Sequence, residues 1–294
     1  MSEPDVTFWL NGEFREDVQA INIADRGFLL GDGVFETLLV RDGVAAFLEE
    51  HLARLRDGLN ALSIIADAPP DVEKIISRLI VDCNIQGDVS VRITISRGPS
   101  GRGLAFPPDK QRAVTTLISA QPAAHHSDKP LSLKVSQYVR PETSIAARCK
   151  TLNYLDNVLA RNEALAAGAD DAVMLNGHGR IACASAANFF IIDQAGVVST
   201  PPIDEGALPG IARGQILQAA AHTDVAMREA PLERQALQSG SVFLTNSLIG
   251  LRPAMMVGGG INLSSPAASQ ILQRLQSWYE ARLRDSIIKK ARNS

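Results

Sequence analysis

The chain has 294 residues, 46% of them hydrophobic and 21% charged, enough apolar content to bury a sizeable core. That composition excludes a disordered, collagenous or coiled-coil chain. Lys and Arg total 29 against 32 Asp and Glu, and a formal charge of −3 leaves no general electrostatic footprint for nucleic acid. The basic tail Lys289-Lys290-Ala291-Arg292 reads as a solvated helix end. Cys83, Cys149 and Cys183 lie far apart and form no CxxC pair, which argues against a disulfide framework or a zinc site. Met1-Ser2-Glu3-Pro4-Asp5 lacks the basic start and apolar core of a signal peptide. No apolar run reaches the roughly 18 residues of a membrane span. The expectation is a cytoplasmic, globular protein without nucleic-acid or membrane partners.

In chain order, strands are predicted at Thr7–Leu10 and Val34–Val40, with a hairpin turn at Asn11-Gly12. Residues 25–33 between them read as a glycine-punctuated loop. Leu48, Leu52, Leu55, Leu59 and Leu62 recur at spacings of three and four and predict a helix. A second helix follows Pro69-Pro70, with Val72, Ile75, Ile76, Leu79, Ile80 and Cys83 inward. Val89, Val91, Ile93 and Ile95 alternate with Ser90, Arg92, Thr94 and Ser96 as a period-two strand, and another strand covers about 113–120.

Periodicity then breaks over 121–130, read as an inter-domain linker whose His125-His126 pair is solvated. Beyond it come a strand at 131–139, a helix at about 153–167, and strands at 172–175, 180–184 and 188–192. A helix at 211–222, a strand at 242–245 and a long amphipathic helix through Ile271, Leu272, Leu275, Trp278, Leu283 and Ile287 close the chain. The expected organisation is a mixed α+β / α/β fold of two domains, 1–120 and 131–294.

Familiar chemical signatures fail. Gly31-Asp32-Gly33 lacks the third glycine of GxGxxG, Arg97–Gly103 lacks the Gly-Lys-Ser/Thr of a P-loop, and GxSxG and HExxH are absent. Four segments suit one anionic cofactor instead. Gly206–Arg213 is a tight turn feeding a helix N-terminus, where unpaired amides and the helix dipole attract a phosphate. Thr245-Asn246-Ser247 offers small hydroxyl donors, and Arg54 a balancing charge. Cys149–Asn157 places Lys150 before a helix, where desolvation would lower its pKa and favour Schiff-base formation.

Seven segments, DRGFLLGDGVFET, EEHLARL, SRGPSGRG, KTLNYLDNVLARNEA, GRIACASAANFF, GALPGIARGQI and FLTNSLIGLRP, together resemble the fold-type IV pyridoxal-phosphate (PLP) enzymes, in family order from Asp25 to Pro253. That family includes D-amino-acid and branched-chain aminotransferases and 4-amino-4-deoxychorismate lyase. The resemblance implies a homodimer acting on a small amino substrate, with the active site at the domain interface and Lys150 carried by the second domain. Lys150 would bear the cofactor and shuttle protons. Arg54, the backbone of Gly210, Ile211 and Ala212, and Ser247 would hold the phosphate. Many relatives place a threonine where this chain has Ala212. Asn188 and Tyr154 fall beside the cofactor, and Phe35 and Arg102 at the substrate. No metal is implied.

One departure stands out. Five residues before Asn188 the family carries a glutamate that keeps the pyridine nitrogen protonated, and here that position is Cys183. A neutral thiol is a weak proton donor, so the ring would be a weaker electron sink. Branched-chain enzymes do not usually carry the SRGxxGRG segment. D-amino-acid aminotransferases carry a histidine where this chain has Leu104. Residues 96–103 and 246–253 look most like aminodeoxychorismate lyase, which releases pyruvate and p-aminobenzoate for folate synthesis. The alternatives are an aminotransferase for D- or branched-chain amino acids and a PLP-binding relative with little activity.

Overall fold

The computed structural model describes residues 7–16, 20–108, 113–124, 129–257 and 265–291. The His125-His126 pair, the N-terminal Met1–Asp5 and the side chains of the basic tail lie outside the described residues. Among the described residues no helix is long and apolar enough to cross a membrane.

The chain divides into two compact units. The first comprises Met1–His125, Cys149–Asn153 and Ser286–Ser294, and the second His126–Arg148 and Tyr154–Asp285.

In the first unit, β1 (Phe8–Leu10) and β2 (Glu13–Arg15) form a hairpin over Asn11 and Gly12, whose φ angles of 50° and 105° suit the turn. The expected loop at 25–33 contains a five-residue helix, α1 (Arg26–Leu30). It is too short to show periodicity and is announced only by its cap, Asp25, whose Oδ1 accepts from the Gly27 amide at 2.7 Å. Then come β3 (Gly33–Arg41), β4 (Val44–Ala45), α2 (Leu48–Ala61), α3 (Val72–Asp82), β5 (Val89–Ser96) and β6 (Thr115–Pro122).

The strands form an antiparallel sheet in the order β2-β1-β6-β5-β3-β4. Alternation in β3 and β5 turns Val34, Leu38, Val40, Val91, Ile93 and Ile95 onto one face, where Leu55 and Leu59 of α2 and Ile76 and Leu79 of α3 bury them. β6 extends to Pro122, so the first two residues of the expected linker belong to the sheet.

The Lys150 segment groups with this first unit rather than with the second domain as expected. The cause is backbone pairing: Phe35 N donates to Lys150 O at 2.9 Å, Leu152 N donates to Gly33 O at 2.9 Å, and Val34 bridges Thr151. A segment 115 residues downstream of Phe35 thus adds itself to β3, a non-local pairing invisible to local pattern.

The second unit contains β7 (Leu131–Val135), α4 (Ile145–Arg148), α5 (Leu155–Ala166), β8 (Asp171–Leu175), β9 (Arg180–Ala184), β10 (Asn188–Ile192), β11 (Val198–Thr200), α6 (Ile211–Gln218), β12 (Met227–Glu229), β13 (Leu232–Glu233), β14 (Ser241–Asn246), β15 (Gly250–Met256) and most of α7 (Pro266–Ala291). Its sheet runs β12-β11-β10-β14-β15-β7-β8-β9-β13, with parallel pairs at β11–β12, β15–β7 and β7–β8. The strand expected at 131–139 stops at Val135. The helix expected to 222 ends at Gln218 and continues as a 3₁₀ turn over Ala219–Ala221. Strand β15 escapes sequence reading because Pro253 sits in its middle.

Gly98, in the SRGPSGRG segment, has φ +81°, and a Cβ there would lie 1.6 Å from Ala113 O. Gly87 shares the φ sign at +76° but has open space around it. Gly87→Ala is expected to cost only the left-handed penalty, about 1–2 kcal/mol. Gly98→Ala adds a backbone collision and should lower Tm clearly further in thermal unfolding; equal losses would contradict this packing.

Candidate active site

In the first unit the site grows from β3. The even positions Val34, Leu38 and Val40 face the core, and Glu36 shares that face with 0% exposure. A carboxylate there must be paired, since an isolated buried charge is prohibitively costly. Arg54 of α2 supplies a fork, donating Nε to Oε1 and Nη2 to Oε2, both at 2.7 Å. His51, one helical turn earlier, places Nδ1 2.7 Å from Oε2. Burial alone would raise the Glu36 pKa, but the hydrogen bonds from Arg54 and His51 outweigh it and hold it at about 2. Burial pushes His51 below its ordinary value against the pull of Glu36, and the charges of Arg54 and Lys150 push the same way.

The odd residue Phe35 points to the opposite face of β3. Lys150 Nζ lies 4.2 Å from the centroid of its ring, and the Arg92 guanidinium carbon lies 3.7 Å from the same centroid. Lys150 is half-buried. The structure therefore places Lys150 with Phe35 on one face of β3 and Arg54 on the other, and beside Arg54 it adds two residues the sequence reading missed, Glu36 and His51. Both lie in quoted segments, GDGVFET and EEHLARL. The signal for Glu36 was an acid in the inward register of an otherwise apolar strand. Arg102 sits apart from this group, exposed on the loop after β5.

In the second unit the site grows from the ends of β10 and β14, where Asn188 and Thr245 are cross-strand partners. Asn188 Nδ2 donates to Leu208 O at 2.8 Å and so holds the turn before α6. That turn approaches closely because residue 210 is glycine: a Cβ there would fall 2.0 Å from Asn188 Oδ1. Gly210 is the N-cap of α6 with no side-chain cap, so the amides of the first turn face outward without a protein acceptor from that position. Thr245 Oγ1 is buried with no hydrogen-bond partner among the described residues. An uncapped helix start beside an orphaned hydroxyl fits a phosphate. Ser247 lies in the half-buried turn after β14, and Tyr154 is the half-buried N-cap of α5.

Cys183 lies on β9 beside a bulge: Met174 pairs with Cys183 but Leu175 with Ile181, leaving Ala182 as the extra residue. The thiol packs with Ala160, Ala164 and Met174. Burial raises its pKa, with Arg140 opposing and Asp171 adding, so it is a neutral thiol at pH 7. The neighbouring acids are committed elsewhere: Glu205 to Arg180 and Asn176, and Asp171 to Arg161 and Ser185. Arg140 itself is buried and donates to Gly206 O, Asn157 Oδ1 and Ala147 O.

The family model for amino-transferase class IV matches residues 33–256. The chain belongs to that family. It is therefore one of a family of enzymes, and its two sheets with helices are the fold of that family's solved structures. It is 27% identical to a branched-chain-amino-acid aminotransferase of Salmonella typhimurium, over 92% of this chain and 91% of that one. It is 26% identical to the aminodeoxychorismate lyase of Bacillus subtilis, over 96% of each chain. The crystal structure of 4-amino-4-deoxychorismate lyase from Pseudomonas aeruginosa superposes with a TM-score of 0.79 at 26% identity, covering 92% of this chain and 98% of that one. It is also 28% identical to a putative branched-chain-amino-acid aminotransferase of Methanocaldococcus jannaschii, over 92% of this chain and 94% of that one. Relatives named for different activities thus all match at 24–28% identity, and the residues have to distinguish the reaction.

The Glu36 cluster gives a pH signature. A carboxylate lowered from 4.5 to about 2 stabilises the fold fully above pH 4.5, and that support fades as pH falls towards 2. His51 acts in the same direction, because the unfolded chain takes up a proton below its ordinary 6.5 before the native state does. Glu36→Gln is expected to cost about 3 kcal/mol at pH 7. Its Tm deficit against wild type should then shrink steadily between pH 4.5 and 3; a constant deficit across that range would refute the pairing.

Proposed function

We propose that this chain is a PLP-dependent 4-amino-4-deoxychorismate lyase, releasing pyruvate and p-aminobenzoate. The observation that carries the choice of reaction is Cys183, a buried neutral thiol at the position where the family holds a glutamate. The SRGPSGRG and NSLIGLRP segments point the same way.

Lys150 would hold PLP covalently through Nζ. The first-turn amides of α6, with Ser247 and Thr245, would receive the phosphate, and Arg54 would add cationic charge whose direction Glu36 fixes. Bound, PLP draws electrons away from the substrate carbon bearing the amine. Around it, Lys150 Nζ takes and returns the substrate proton, and Phe35 presents an apolar wall beside that amine. Arg102 recognises a substrate carboxylate with its planar fork. Cys183 contributes no charge at the ring nitrogen.

A thiol there disfavours amino transfer more than the lyase reaction. Amino transfer relies on a strong electron sink, whereas release of an aromatic product supplies driving force of its own. The competing reading is a class IV aminotransferase, favoured by the branched-chain relative at 27% identity. A homodimeric assembly, a cytoplasmic location and a place in folate synthesis follow from the lyase reading as further proposals.

The deciding experiment assays one preparation for p-aminobenzoate release from aminodeoxychorismate and for amino transfer from D- and branched-chain amino acids to pyruvate or 2-oxoglutarate. The lyase activity is expected to dominate, and dominant amino transfer would overturn the reading. Cys183→Glu, which restores a carboxylate able to raise the ring-nitrogen pKa, should speed single-turnover amino transfer while changing lyase turnover less. A folded, cofactor-loaded variant with no gain would remove Cys183 from the argument.

A further inference from the structure

Residues 101–106 of the first unit present a physical contradiction. All are exposed, with Leu104 at 81% and Phe106 at 54%, so the loop earns no core burial to offset its ordering. Its backbone is nevertheless captured. The Arg26 guanidinium, itself buried, donates Nη1 to Gly103 O at 3.0 Å and to Ala105 O at 3.3 Å, and Nη2 to Leu104 O at 3.2 Å. Its Nε donates to Asp32 Oδ2 at 2.8 Å.

Asp32 serves a second arginine in the same way. Arg97, also buried, donates Nε to Asp32 Oδ2 at 2.8 Å and Nη2 to Oδ1 at 3.1 Å. Its remaining bonds reach Leu62 O at 2.6 Å and Ser63 O at 3.0 Å, at the end of α2. The guanidinium carbon lies 3.8 Å from the centroid of the Phe106 ring. Two buried cations sharing one carboxylate carry a desolvation cost that a purely apolar core would avoid. What they hold in return is an exposed loop that touches them through its backbone and the Phe106 ring.

We propose that Arg26, Asp32 and Arg97 form a positioning clamp that fixes the 101–106 loop so that Arg102 meets a substrate carboxylate in a preset orientation. The clamp rests on the reading of Arg102 given above, and it explains features that reading leaves idle. Orientation is worth most when the recognising group is fixed before the ligand arrives. An arginine on a glycine-flanked loop would otherwise sample many directions. Fastening three consecutive carbonyls from below, with the Phe106 ring laid on Arg97, removes that freedom and leaves the Arg102 side chain unoccupied by the clamp. Asp32 aligns both forks, and its carboxyl is held below the usual range by Arg97 and Arg26 in spite of its burial.

The test uses the PLP-loaded enzyme and four variants: Arg26→Lys, Asp32→Asn, Arg102→Leu and the double variant Arg26→Lys/Arg102→Leu. Arg26→Lys keeps a cation opposite Asp32 but has one nitrogen where three carbonyls need a fork, so it keeps the test open if Asp32→Asn folds poorly. Trypsin cleavage after Arg102, mapped by mass spectrometry, should accelerate about tenfold in Arg26→Lys, as expected when a held segment opens. KM for an acidic amino substrate should rise about tenfold in Arg26→Lys and Asp32→Asn with kcat within about twofold, and KM for an uncharged amine should hold. The double variant should be no worse than Arg102→Leu alone.

Unchanged cleavage at Arg102, or KM effects that multiply in the double variant, would overturn the clamp. If Arg102→Leu itself has no selective effect on the acidic substrate, the carboxylate role of Arg102 falls, and the trypsin result alone then decides whether the loop is clamped.

Discussion

Three backbone contacts, from Gly33, Val34 and Phe35 to Lys150, Thr151 and Leu152, bring the first unit's candidate site residues together. They fasten a segment from late in the chain to the strand that also bears Phe35 and Glu36. Strand alternation then sorts the neighbours: Phe35 goes to the side of the lysine amine, Glu36 to the side of the helix that brings Arg54 and His51. The register of β3 on β5 fixes those faces, and a shift of one residue there would exchange them, leaving a carboxylate outside and a phenyl ring among charges. The Glu36 ion pair follows from that register, because a carboxylate on the core face is tolerable only with a fork and an imidazole upon it.

Much of the fold was legible in local pattern. The alternation of Val89 to Ile95 and the leucine spacing of residues 48–62 state their faces outright, and Arg180–Ala184 and Asn188–Ile192 were readable to the residue. The losses have physical causes. Helix α1 is shorter than two turns, β15 carries a proline within the ladder, and Met227–Glu229 and Leu232–Glu233 are too brief for periodicity. The grouping of Lys150 with the first unit depends on pairing across more than a hundred residues, which no window of sequence contains. Glu36 was visible as an anomaly in an apolar register and Arg54 was singled out as a cation, but their pairing, and His51 beside them, join a strand to a helix and leave no mark in local pattern.

The second unit answers a different requirement. Glycine at 210 lets the turn rest on Asn188, the start of α6 is left uncapped, and the Thr245 hydroxyl is buried without a partner. Each would be a defect in a structural element, and together they form a place for an anion. Cys183, a few strands away, has been stripped of charge by burial. On the proposed function, this unit would hold the cofactor phosphate while presenting an uncharged thiol where relatives place an acid, and such a change at the reactive ring would alter the reaction run.

The proposed function requires Lys150 to carry the cofactor. Borohydride reduction of the protein as purified, followed by proteolysis and peptide mapping, reads that attachment directly. The pyridoxyl mass should be found on the peptide containing Lys150 and on no other. A label on Lys134 or Lys129 would contradict the account, and so would a protein that takes up no pyridoxyl group at all.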